Sequence, residues 1–215
     1  MLSREELILV RRLRKLVVLA SAYSTFLGAY ITYLITAPIY LVDGVIKGYV
    51  ALTHHELVFY GTPVRHDALV SASFLSLSIL ALNTYLVFAG VLTLYLFFSG
   101  KNFNVGVKWL FGGALTLLAF SGLLLAIIRI VSAAATQLSL NLNQVTSAGA
   151  LYLGTSNVYT VYPTGYLLSP LMILVVTQAY VVLVTATYLH MALIDEYRLA
   201  RQPPYRETRY RVVGS

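Results

Sequence analysis

With 215 residues, 59% of them hydrophobic, only 11% charged, and a mean hydropathy of +0.78, the chain is far too apolar for a soluble domain, where about 25% of residues are charged. It reads as an integral membrane protein: each crossing of hydrocarbon takes roughly 20 apolar residues, so four spans and their connections use most of the length and exclude a separate soluble domain. The absence of cysteine excludes disulfides, thiolate metal sites, CxxC redox chemistry and a cysteine nucleophile, and the net charge of +7 matters through its distribution, because loop charge orients a membrane protein.

Ser3 followed by Glu6 has the spacing of a capping box, in which hydroxyl and carboxylate satisfy free N–H groups at a helix start. The helix predicted from Ser3 carries the basic cluster Arg11, Arg12, Arg14 and Lys15 into a first span over about 16–42. This apolar run exceeds the roughly 7 to 15 residues of a secretory signal core and reads as a retained anchor. Ala20, Ser24, Gly28, Thr32 and Thr36 recur every fourth residue. They make a ridge of small side chains on which another helix backbone can approach closely. Pro38 predicts a kink near the outer end of the span.

Residues 43–67 form a first outer connection, whose centre, VFYGTPVR, predicts a short hairpin turning near Gly61-Thr62. In a two-residue hairpin Leu57 would face His66, leaving His55 diagonal to His66 and Glu56 near Asp67. Imidazoles and carboxylates at such separations suit zinc or copper, which makes His55 and His66 weak candidate metal ligands. Their spacing matches no known ligand motif, so solvated interfacial residues are the simpler expectation.

The second span, about 68–98, places Ser76, Asn83 and Gly90 at heptad spacing with Ser73 beside them, a face expected to look into the bundle. Asn83 lies near mid-membrane, where an unpaired amide costs several kcal/mol, so it needs a partner. Residues 99–106 are a short inner turn typical of antiparallel neighbours. In the third span, about 107–133, Gly112, Ala119, Ala126 and Ala133 repeat every seven residues as a second small packing face, and Arg129 is expected to snorkel or to pair with Asp43 or Asp67. Gln178, in a fourth span over about 167–194, sits near the depth of Asn83; the two amides are the predicted interhelical pair, worth on the order of 1 kcal/mol. The tail, 195–215, is broken by Pro203-Pro204 and rich in arginine, so loose structure is expected.

Between the third and fourth spans, residues 134–166 contain no Asp, Glu, Lys, Arg or His. Leu138, Leu140 and Leu142 alternate with polar residues at the period of a half-buried strand, and the stretches around Tyr152, Tyr159 and Tyr162 supply β-branched and aromatic residues. Two or three short strands are predicted, with no charge guarding an edge against strand addition. These six residues are the expected interaction surface.

Lys and Arg number five before the first span, two after the second and five in the tail, against Lys47, Arg65 and Arg129 on the other side. The positive-inside rule therefore puts both termini in the cytoplasm. The expected fold is an all-α membrane protein in one integral domain: a four-transmembrane-helix antiparallel bundle with a small β-rich extracytoplasmic cap from the two outer loops. Absent cysteine, 17 tyrosines and no N-x-S/T sequon in the outer loops point to a prokaryotic plasma membrane.

No catalytic, nucleotide-binding or haem-binding motif is present, and no cofactor is expected. The leading expectation is a non-enzymatic tetraspan scaffold or accessory subunit of a membrane or envelope assembly, with the lipid bilayer, other subunits or copies of itself as partners. A small redox or quinone-binding subunit is the alternative, and an oligomeric transporter or channel using Ser76, Asn83 and Gln178 a further one. Nucleic acid is not an expected partner, because topology accounts for the tail's arginines. In outline, two outer loops with a hairpin in the first, the chain resembles claudin-like tetraspans. Their signature, a Trp and a Cys pair in the first outer loop, has no counterpart, since Cys is absent and the single Trp, Trp109, lies on the inner side. No family follows from the outline.

Overall fold

The computed structural model describes residues 4–139, 144–145, 151–152 and 156–201. Four helices are long and apolar enough to cross a membrane: α1 (Arg4–Thr36), α2 (Asp67–Phe98), α3 (Asn104–Ser139) and α5 (Pro170–Arg201), the last preceded by a single turn, α4 (Thr164–Leu167). The protein is a multi-pass helical bundle of the membrane, joined to a small antiparallel sheet.

Between lipid-solvated helices there is little hydrophobic driving force, so close contact and interhelical hydrogen bonds must hold them together. α1 packs against α2 and α5, and α3 packs against the same two. Gly28 of α1 meets Asn83 and Val87 of α2, where an added Cβ would lie 2.8 Å from the Asn83 carbonyl oxygen. Gly90 of α2 meets Ser21 and Thr25, its Cβ position 2.6 Å from the Ser21 carbonyl oxygen. Large side chains fill the remaining interior, among them the fully buried Leu27, Leu86, Leu110, Ile127 and Tyr180.

The sheet comes from β1 (Tyr40–Gly44), β2 (Ile46–Val50), β3 (His55–Phe59), β4 (Thr62–Pro63) and, far along the chain, β7 (Ser156–Thr160), in the order β4-β3-β2-β1-β7. β5 (Gln144–Val145) and β6 (Leu151–Tyr152) form a separate two-stranded pair. Strand alternation sends Val42, Ile46, Val50 and Leu57 inward, where they join one continuous core with Leu34 and Ile35 of α1 and Leu69 of α2. Gly48 has φ of 145°, and a Cβ there would strike the Glu56 carbonyl of the neighbouring strand. Only glycine lets these two strands approach so closely.

Several boundaries differ from those expected. α1 stops at Thr36, six residues short of the expected end of the first span, and Pro38 follows the helix instead of kinking it. The residue before a proline is disfavoured in helical conformation, and Tyr40, Leu41 and Val42 find partners on two strands. The freed Ile35 carbonyl accepts from both the backbone N–H and the hydroxyl of Thr53, at 3.2 and 3.1 Å. α3 continues to Ser139, which puts Leu138 on a helix and not on the expected strand; Leu140 and Leu142 lie outside the described residues. α5 runs on to Arg201, beyond the expected start of the tail at residue 195, while 202–215 and Ser3 of the capping box also lie outside the described residues.

Candidate functional site

Among the described residues β7 is the one strand that the segment between α3 and α5 contributes to the five-stranded sheet, and it stands at its edge, paired along its full length with β1 from Tyr40↔Thr160 to Gly44↔Ser156. Two side-chain contacts fix it there. The buried Ser156 hydroxyl accepts the Ile46 N–H at 2.9 Å, and Tyr40 on the adjacent strand shares a 3.0 Å hydrogen bond between its hydroxyl and that of Ser132 on α3. Along the opposite face, Tyr159 neighbours Leu41, which neighbours Tyr49, which neighbours Glu56. Tyr159 and Leu41 are 55% and 48% exposed, and Tyr162 just beyond the strand is 84% exposed. Among the described residues β7 has a strand neighbour on one side only, and it carries no charge. A row of exposed aromatic and aliphatic side chains thus leads to an uncharged edge strand that packs on α3 and has no second strand neighbour among the described residues.

The histidines lie at the other side of the sheet. Tyr60 and Gly61 have positive φ values of 45° and 86°, as the favoured two-residue hairpin turns require. The turn therefore falls one residue before the expected Gly61-Thr62, and the Leu57 carbonyl accepts the Val64 N–H at 2.8 Å in place of facing His66. His66 reaches the neighbourhood of His55. Desolvation first, and then His66, His54 and Arg65, hold the His55 imidazole below its usual range. His66 Nδ1 is buried without a hydrogen-bond partner. Among the described residues no group of three or more His, Asp or Glu is arranged to hold a metal ion, so His55 and His66 stand as a pair without further ligands. Asp43 pairs with Lys47 at 3.7 Å and not with Arg129, which is exposed on α3; both partners are more than two-thirds exposed, and such a pair contributes little.

Within the bundle the expected packing residues divide. Ala20, Ser24, Gly28, Ser76, Asn83 and Gly90 are buried, and Gly112 lies against the Tyr85 hydroxyl. Ala119, Ala126 and Gln178 are exposed on the bundle surface. Gln178 is therefore not the partner of Asn83, whose amide nitrogen and oxygen are both buried without one. The reason is the orientation of α5: Thr177 and Tyr180 turn inward, which leaves Gln178 on the outer face.

The interior does hold a satisfied polar node, built from residues of four helices. Ser24 donates to the Leu86 carbonyl at 2.8 Å and lies 2.9 Å from the Tyr180 hydroxyl, which also reaches the Leu110 carbonyl at 3.4 Å. Tyr23 stacks on Tyr180 with ring centroids 6.0 Å apart and donates to the Val176 carbonyl at 3.1 Å. Tyr23 and Tyr180 escape a reading of polar periodicity because tyrosine counts as apolar; a search for hydroxyl groups at the depth of Ser24 would have found Tyr180. Of the expected interaction residues, Tyr159 and Tyr162 are brought to the open side of the sheet, and Tyr152 pairs with Gln144 in the separate two-stranded ladder. Comparisons with known protein families, with curated proteins and with solved structures found no match.

Proposed function

We propose that the protein is a non-enzymatic scaffold or accessory subunit of a larger plasma-membrane or envelope assembly. In this reading the helices form an antiparallel bundle with both termini cytoplasmic, and the sheet is an extracytoplasmic cap. The order of contacts supports the antiparallel arrangement, since Gly28 meets Asn83 and Val87 whereas Gly90 meets Ser21 and Thr25. The distribution of Lys and Arg supports the orientation.

One observation carries the functional reading: the uncharged segment supplies an edge strand, β7, with Asn157, Tyr159 and Thr160 exposed and no charged residue to repel an incoming strand. Main-chain hydrogen bonding along such an edge gives affinity, and the tyrosines give a partner contact area. The partner is another membrane or envelope subunit, or a second copy.

The test is purification of native protein in mild detergent, with mass spectrometry and an absorption spectrum of the same fraction. Stoichiometric partners or a defined oligomer are expected, and they are lost when Asn157→Lys and Tyr159→Lys place charge on the edge. A lone species carrying haem, flavin or quinone would overturn the reading in favour of a redox subunit.

A further inference from the structure

At the end of the bundle away from the sheet, Leu13 and Val17 of α1, Val107 of α3, and Met191 and Ile194 of α5 form a small hydrophobic cluster separate from the main core. Beside it lies a cavity of about 310 Å3, which the cluster floors and whose polar lining is Arg14, Lys101, Asn102, Asn104 and Asp195. Arg14, with Lys15 beside it, also borders a shallow groove that follows α1 towards the hydrocarbon over Val18, Leu19 and Ala22, with Phe97 of α2 as its other wall. A polar cavity and an apolar groove thus meet at one guanidinium.

The lining is matched to a molecule with a charged end and an apolar end. Among the described residues neither Arg14 nor Lys101 makes an ion pair, and Lys101 sits 5.6 Å from the centroid of the Tyr95 ring. Asn102 Oδ1 already accepts the Asn104 N–H at 3.1 Å, which leaves the amide NH2 of Asn102 to donate outward. Among the described residues Asp195 is the one carboxylate in the lining. It repels a bare anion and accepts from hydroxyl donors. The exposed Arg11, Arg12 and Lys15 precede the apolar stretch of α1, which places the site at headgroup level.

We propose that the cavity and groove bind one anionic phospholipid. The phosphate lies between Arg14 and Lys101, headgroup hydroxyls reach Asp195, and one acyl chain follows Val18, Leu19, Ala22 and Phe97. A free soluble anion leaves the groove unused, which is why the lipid is the occupant. This site is independent of the sheet edge and of any partner bound there.

The experiment is native mass spectrometry of the detergent-purified full chain with added phosphatidylglycerol or phosphatidylcholine of identical acyl chains. Wild type is expected to retain phosphatidylglycerol in a one-to-one complex and phosphatidylcholine weakly. A cation near an anionic lipid surface is worth on the order of fivefold in affinity, so any loss of charge weakens binding somewhat. R14Q/K101Q is expected to lose at least fivefold more phosphatidylglycerol affinity than R11Q/R12Q, which removes the same charge outside the cavity. A22W, which fills the groove without altering charge, is expected to lose binding as well. All variants must elute and show helicity as wild type does. Equal retention of the two lipids, equal losses for the two charge pairs, or full binding by A22W would overturn the proposal.

Discussion

Small residues recur at fixed spacing on α1, as Ala20, Ser24, Gly28, Thr32 and Thr36, and on α3, as Gly112, Ala119, Ala126 and Ala133; the first three on α1 are buried and Thr36 is exposed, whereas Ala119, Ala126 and Ala133 are all exposed. The two faces differ in what they meet. Opposite the α1 ridge, α2 presents Gly90 and accepts the Ser24 hydroxyl on its Leu86 carbonyl, so both backbones approach. α3 instead turns Gly106, Leu110, Gly113, Leu117, Leu124 and Ile127 inward, so the buried small residues that meet α2 are Gly106 and Gly113, and Ala119 and Ala126 are left outside. A stripe of small side chains permits close approach, but only a complementary partner face makes use of it.

Filling one small-residue face and then the other separates their roles. Gly28→Leu or Gly90→Leu forces a side chain against the opposing backbone and is expected to destabilise by about 3 kcal/mol or more, or to prevent folding. Ala126→Leu is expected to change stability by no more than about 0.5 kcal/mol. Unfolding in mixed detergent micelles measures both, and equal losses at the two sites would erase the distinction. The polar node refines it: Tyr180→Phe removes one hydroxyl, leaves Ser24 bonded to the Leu86 carbonyl, and is expected to cost about 1 kcal/mol. A double-mutant cycle with Ser24→Ala should show coupling.

Asn83→Leu removes a buried amide that has no partner, so stability should stay level or rise by up to about 1 kcal/mol. Combined with Gln178→Leu the effects should add, because Asn83 is buried without a partner and Gln178 is exposed on the bundle surface; coupling would contradict that arrangement. The smallest effect is expected at His55. Its depressed pKa means that the folded state binds fewer protons than the unfolded one below the usual value of about 6.5. Stability from this group is then complete above that value and falls as pH drops through the window down to the folded pKa. His54, His66 and Arg65 face it, so protonation there adds repulsion. Thermal unfolding between pH 7 and 5 should show a decline that His55→Gln reduces.

The four spans and the inward face of α2 were legible because hydropathy and heptad spacing are local properties. Ser76, Asn83 and Gly90 are buried together as their spacing requires. The end of α1 was not legible, because Tyr40, Leu41 and Val42 are as apolar as the helix before them; what makes them a strand is pairing with residues 48–50 and 158–160. The edge position of β7 depends on that same pairing across more than a hundred residues. The fate of Gln178 depended on which face of α5 turns inward: Thr177, Tyr180 and Val184 are buried and Gln178 is not, a choice that the depth of the residue does not reveal.

Photo-crosslinking in intact cells tests directly whether the β7 edge is the working surface. A photoreactive residue at position 159, on the open side of the sheet, is predicted to give a protein adduct of defined mass. The same residue at Phe74, exposed on the span of α2, is predicted to give none. Adducts from position 74 with none from position 159 would contradict the account and move the contact surface into the membrane.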